Sequence, residues 1–155
     1  MLDFVDITKD NIHWYCRFEK NFEDDLKNFR TEIYPANSDF FVPLIENKLL
    51  KWSYLFYGGR IIGAIWIEKE HSCLLTAQLG IFIEEKELRS QGIGRKAIDR
   101  YIQDNKRKLN LTELTIDVRK ENIRAINCFK KCGFRCEQQY EDTDGTKIMK
   151  MINSL

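Results

Sequence analysis

The chain has 155 residues, enough for one domain with its own core, and a single domain over 1–155 is expected. Hydrophobic residues make up 43% and charged residues 32%, and 25 basic against 24 acidic residues leave a net charge of +1. That balance argues against a nucleic-acid or membrane partner, and no apolar run approaches the ~20 residues that span a bilayer. The start, Met1-Leu2-Asp3-Phe4-Val5-Asp6, has neither the basic flank nor the apolar stretch of a signal peptide, so a cytoplasmic protein is expected.

Leu2 to Ile7 is strand-like. Thr8 to about Phe29 is helix-like, in two pieces, with Ile12, Tyr15, Cys16, Phe18 and Phe22 spaced for a buried stripe and Thr8 placed to cap it. Pro35 and Pro43 mark breaks between short helices, and Asp39 to Leu50 forms another short helix. Trp52 to Tyr57 and Arg60 to Glu68 are strands joined by Gly58-Gly59, a tight-hairpin signal. Leu75 to Ile83 is a fourth strand. Gly92 to Leu109 is a helix with Ile93, Ala97, Ile98, Tyr101 and Ile102 on one face. In Thr112 to Val118, Leu114, Ile116 and Val118 alternate with Thr115 and Asp117. Asn122 to Lys131 is a helix closed by Gly133, and Phe134 to Gln139 and Lys147 to Ile152 form a last hairpin. The sum is an α/β (α+β) chain: a mixed, mostly antiparallel sheet of about seven strands flanked by about four helices.

Five cysteines, three of them at 128, 132 and 136, match no zinc spacing. They read as small apolar residues in a reducing compartment, and no metal is expected.

The chemistry gathers at the fourth strand and beyond. Arg89-Ser90-Gln91-Gly92-Ile93-Gly94 joins that strand to a helix start, where glycines let a ligand approach the backbone and unpaired N–H groups suit a pyrophosphate. The third glycine of a dinucleotide loop is missing, with Ala97 in its place, and there is no Walker A loop. The six residues fit [Q/R]-x-x-G-x-G. Downstream, Leu114-Thr115-Ile116-Asp117-Val118-Arg119-Lys120-Glu121-Asn122 leads into Ile123 to Phe134. The two blocks together resemble the cofactor half of the GCN5-related N-acetyltransferases (GNAT superfamily), with Phe129 standing where the family usually has tyrosine.

The resemblance implies the mixed sheet above, acetyl-CoA as acetyl donor, and direct transfer to an amine. It implies a pyrophosphate held by backbone N–H groups of Gln91, Gly92, Ile93, Gly94 and Arg95, next to Ser90. Arg89 would shape the loop and add charge. The pantetheine arm would pair with backbone near Phe82 and Ile83, and Asn122 and Phe129 would lie beside the cofactor; Asn122 also suits a helix N-cap. Asp117 is the candidate base, since relatives often carry a carboxylate there. Gln78 stands where many relatives have a glutamate base, and Gln accepts no proton usefully; Glu68, Glu84 and Glu85 read as solvated strand-end charges. Phe129 cannot protonate the departing thiolate, which leaves Cys128, Tyr140 or water as donors.

For the acceptor, the acidic cluster Glu19, Glu23, Asp24 and Asp25 would favour a cation if it stood near the cleft, and otherwise is a solvated helix face. Trp14, Tyr34, Phe40, Phe41 and Trp52 either line a pocket or fill the core. The acceptor class stays open among small amines, polyamine- or aminoglycoside-like molecules and peptide N-termini. Gln78 and Phe129 keep a CoA-binding module with little activity as an alternative. The family analogy allows a homodimer, with the last strand, Lys147 to Ile152, pairing across an interface.

Overall fold

Seven strands form one sheet in the order β1-β2-β3-β4-β5-β7-β6. They are β1 (Leu2–Asp6), β2 (Leu50–Tyr57), β3 (Arg60–Glu68), β4 (Thr76–Ile83), β5 (Glu113–Arg119), β6 (Arg135–Glu141) and β7 (Lys147–Ser154). Three α-helices are described: α1 (Ser38–Glu46), α2 (Ile93–Asn105) and α3 (Ile123–Lys131). The fold is taken from a computed structural model, which describes residues 1–15 and 38–155, the side chains of 38–41 excepted. Beyond the 3-10 turn Ile12–Tyr15, the rest of the expected early helix, the acidic cluster Glu19, Glu23, Asp24 and Asp25, and Tyr34 and Pro35 lie outside the described residues; so do the side chains of Phe40 and Phe41.

Alternation along the strands sorts the core into two layers. Leu114, Ile116 and Val118 of β5 join Leu79, Ile65 and Ile67 beneath Ala97, Ile98 and Tyr101 of α2 and Ile126 and Phe129 of α3. The opposite face holds Tyr15, Trp52, Tyr54, Ala64 and Phe82. Gly58 and Gly59, at φ 59° and 80°, turn the β2–β3 hairpin through two left-handed positions that a side chain would strain. At the end of α3, the N–H groups of Gly133 (φ 90°) and Phe134 bond the carbonyls of Lys130 and Phe129, closing the helix as a Schellman motif.

Two sequence expectations are corrected. Pro43 lies inside α1 instead of breaking it, so the helix forgoes an i→i−4 bond. The last strand, β7, is flanked by β5 and β6, so both its edges are taken; the free edge on that side belongs to β6. Among the described residues no helix is long and apolar enough to cross a membrane.

A buried polar knot ties α2 to the β1–β2 edge. Ser53 Oγ donates to Asp6 Oδ1 (2.9 Å), and the Tyr101 hydroxyl lies 3.1 Å from Ser53 Oγ and donates to the Lys51 carbonyl at 3.1 Å. Burial pushes the Tyr101 phenol well above the usual tyrosine range; the Ser53 hydrogen bond opposes this and Asp6 adds to it. The folded state therefore keeps the proton that the unfolded chain gives up near pH ~10, so this contribution is whole below pH ~10 and falls as pH rises. We expect Tyr101→Phe to cost about 1 kcal/mol at neutral pH. The gap to wild type should narrow in urea unfolding above pH ~10. A gap of constant size would contradict the assignment.

Candidate active site

β4 and β5 run parallel for only three Cα pairs, Thr76↔Glu113 to Gln78↔Thr115. Past Gln78 each strand stays with its other neighbour: β4 pairs with β3 through Ile83↔Gly63, and β5 with β7 through Arg119↔Ile148. A wedge opens between them, and it leads into a cavity of about 490 Å³. Backbone direction along β4 follows from one bond: Glu84 N–H donates to Ile62 O of β3 (2.8 Å). Alternation then turns Phe82 toward β3, where its carbonyl crowds the Cα of Gly63, and turns Ile81 and Ile83 toward the wedge. The Phe82 side chain is buried in the second core layer.

The glycine loop closes one end of the wedge. Ser90 and Gly92 adopt left-handed φ values of 62° and 79°. Gly92 is the N-cap of α2, and the first bond into the helix is Lys96 N–H to Gly92 O (3.1 Å). The N–H groups of Ile93, Gly94 and Arg95 thus precede the ladder, at the positive end of the helix dipole. A Cβ on Gly92 would meet nothing within 4 Å. Arg89 fixes the loop to the end of β4: Nε donates to Ile83 O (2.9 Å) and Nη2 to Glu84 O (3.3 Å). Gln91 Nε2 donates to the Glu87 carbonyl, and Ile93 is buried in the core.

One face of α3 forms the next wall. Asn122 caps the helix, its Oδ1 accepting from Ala125 N–H (3.2 Å). Arg124, Asn127, Cys128 and Lys131 recur at helical spacing and line the cavity with Asn122. Phe129 reaches the cavity from within the core and meets Phe134 edge to face. Among the described residues the lining carries four cations, Arg89, Arg95, Arg124 and Lys131. Such a wall suits a polyphosphate.

At the narrow end the character changes. Among the described residues Asp117 is the one acidic side chain in the lining, and Gln78 Nε2 donates to its Oδ2 across the wedge at 3.0 Å. Both project from the sheet face opposite the Leu114/Ile116/Val118 layer. Trp66 sits on this face over Gly80, where any Cβ would collide with the indole.

The structure thus brings Ile83, Arg89, Ser90, Gly92, Gly94, Arg95, Asn122, Phe129, Asp117 and Gln78 to one cavity, with Phe82 in its wall. Glu85 instead pairs with Arg60 (2.7 Å) at the surface, and Tyr140 lies on β6, separated from β5 by β7. Trp52 is core and Trp14 is 39% exposed. Sequence reasoning missed Arg124, Asn127, Lys131 and Trp66. The first three were marked by their spacing on one helix face. Trp66 carried no signal, since its place depends on the register with Gly80. Among the described residues no group of three His, Cys, Asp or Glu could hold a metal.

A sequence profile of the Acetyltransferase (GNAT) family matches residues 10–134. No curated protein matches the chain at a significant level. Among solved structures, spermidine N-acetyltransferase from Vibrio cholerae, in complex with CoA and spermine, superposes with a TM-score of 0.80 at 17% identity, covering 99% of this chain and 95% of that one. Aminoglycoside acetyltransferase AAC(6')-Ib with coenzyme A and kanamycin gives 0.77 at 14% identity, over 99% and 95% of the two chains. AAC(6')-Ib with ribostamycin and coenzyme A gives 0.77 at 14%, over 99% and 93%. At these identities the likeness is one of fold, and the profile supplies the rest: the chain belongs to the GNAT family of acetyltransferases.

Proposed function

We propose that this chain, as one domain over 1–155, transfers the acetyl group of acetyl-CoA directly to a primary amine. The observation that carries this is the single cavity in which the glycine loop, the open edge of β4 and Asp117 meet. The donor supplies a thioester carbonyl open to attack. The backbone N–H groups from Gln91 to Arg95 bind its pyrophosphate, and Arg89, Arg95, Arg124 and Lys131 balance the charge. The backbone of Ile81 and Ile83, turned to the wedge, takes the pantetheine arm as an added strand, with Phe82, Asn122 and Phe129 shaping the walls. A β4 N–H in the wedge donates to the oxyanion. Asp117 takes the proton of the attacking amine, and Gln78 holds that carboxylate in orientation. Holding both substrates in one wedge supplies much of the rate through proximity.

The acceptor is a small amine, a polyamine- or aminoglycoside-like molecule, or a peptide N-terminus. Two observations support an amine: Asp117 and the flat face of Trp66 share the acceptor end, and the structural relatives hold spermine, kanamycin and ribostamycin. The described cysteines are free thiols, which fits work in the cytoplasm.

Calorimetry with acetyl-CoA, followed by thiol release with a panel of amines, tests the proposal. Gly94 has no left-handed φ, and a side chain there points between Ile83 and Cys128. Gly94→Trp should therefore lose at least about tenfold in CoA affinity, or ~1.4 kcal/mol, while its thermal melt stays near wild type. Equal affinity would empty the loop of its role. Asp117→Asn should lower kcat by about 10²–10⁴-fold with the KM for acetyl-CoA unchanged. Gln78→Leu, which cannot donate, should lower kcat by roughly tenfold, the worth of one hydrogen bond. If Asp117→Asn kept full turnover, water would have to carry the proton instead. Phe129→Tyr should raise kcat by restoring a proton donor for the thiolate. An unchanged or lower kcat would show that no acid is missing.

A further inference from the structure

Cys128 is half-buried on the cavity face of α3 and plays no part in the transfer proposed above. Its Sγ lies 3.8 Å from where a Cβ on Gly94 would stand, so it borders the space in front of the glycine loop. One turn on, Cys132 is buried, its Sγ 4.0 Å from the Arg95 carbonyl. The neighbouring Cys132 side chain is the main cause that brings the Cys128 thiol down to about 7, against the effect of burial. Asp99 of α2 opposes the shift, while Lys131 and Arg124 of α3 favour it. The thiol is thus poised to ionise near neutrality, and it is reached through a cavity lined by Arg95, Arg124 and Lys131.

We infer that Cys128 is a reversible thiolation site for a small anionic disulfide such as oxidised glutathione, and that the adduct excludes the acyl donor. The second half rests on the proposed use of this cavity for acetyl-CoA. The Cys128 thiolate attacks one sulfur of the disulfide. The old S–S bond breaks as the new Sγ–S bond forms, and the other half leaves as a thiolate that takes up the proton Cys128 gave up. Cys128 is oxidised and the departing half is reduced, so the exchange needs no further oxidant. The attached half then occupies the approach to Gly92 and Gly94, while the cationic lining that suits a pyrophosphate suits its carboxylates. Cys132 stays protonated, held up first by the neighbouring Cys128 side chain and then by burial.

The test incubates the wild-type chain with oxidised glutathione, maps adducts by peptide mass spectrometry, and titrates CoA by calorimetry before treatment, after it, and after dithiothreitol. The expected result is one glutathione on Cys128, at least a tenfold loss of CoA affinity, and recovery on reduction. CoA added first should slow modification of Cys128 while the exposed Cys73 and Cys136 react as before. Cys128→Ser and Cys128→Ala, each compared with its own untreated form, should keep their CoA affinity through the treatment. Adducts on Cys73 or Cys136 with none on Cys128 would overturn the site. An adduct on Cys128 with CoA binding unchanged would overturn the exclusion. Untreated protein that binds no CoA would overturn the exclusion together with the cofactor assignment beneath it, and the untreated titration alone identifies that case.

Discussion

The site exists because the β4–β5 ladder stops after Gln78↔Thr115. A parallel pair that parts midway leaves backbone groups without ladder partners, a cost that a fold must offset. Here the two strands are held apart from outside, β4 by six Cα pairs with β3 and β5 by seven with β7. Register shifts flank the divergence, at Leu55/Phe56 where β2 meets β3 and at Cys136/Gln138 where β6 meets β7. Bulges of that kind add local twist, so each half of the sheet can turn away from the other. The helices exploit the opening: α2 starts at its mouth and α3 lies along its side.

The period of two along a strand then divides the labour. Odd positions on β4 direct Leu79 and Ile81 to the layer under α2 and α3, whereas on the other face Gln78 meets Asp117 and Gly80 lies under Trp66. The cationic wall therefore gathers on the helical side and Asp117 on the opposite side. A donor that enters along the helices and an amine that enters from the far face would meet only in the wedge, which is what direct transfer between two bound substrates requires.

Much of this was legible in the sequence. The glycine loop, the capping Asn122 and the alternation of β5 are local features, fixed by φ preference, side-chain reach and hydrophobic period, and local features survive in a single sequence. The seven strands were legible for the same reason. Pairings were not. The insertion of β7 between β5 and β6 depends on long-range register, and so does Trp66 over Gly80. Gln78 shows the difference most sharply. Taken alone it was a missing base; across the wedge from Asp117 it is a donor that orients the carboxylate. Pro43 failed for a different reason: a helix context tolerated one lost bond that propensity alone would have forbidden.

The pairing of Gln78 with Asp117 bears on how a site with two departures from its family could still turn over. A glutamate at 78, as many relatives carry, would put two carboxylates about 3 Å apart here, and like charges so close cannot both stay ionised. Glutamine donates a hydrogen bond to Asp117 instead, and in the proposed transfer Asp117 takes the amine's proton. In the same proposed reaction Phe129 offers no proton to the departing thiolate, where less is needed. A thiol ionises near pH ~8.5, so a departing thiolate is far less dependent on protonation than an amine or alkoxide would be. In the proposed reaction the two departures thus fall where the chemistry tolerates them: one is offset by a hydrogen bond across the wedge, the other by the leaving group itself.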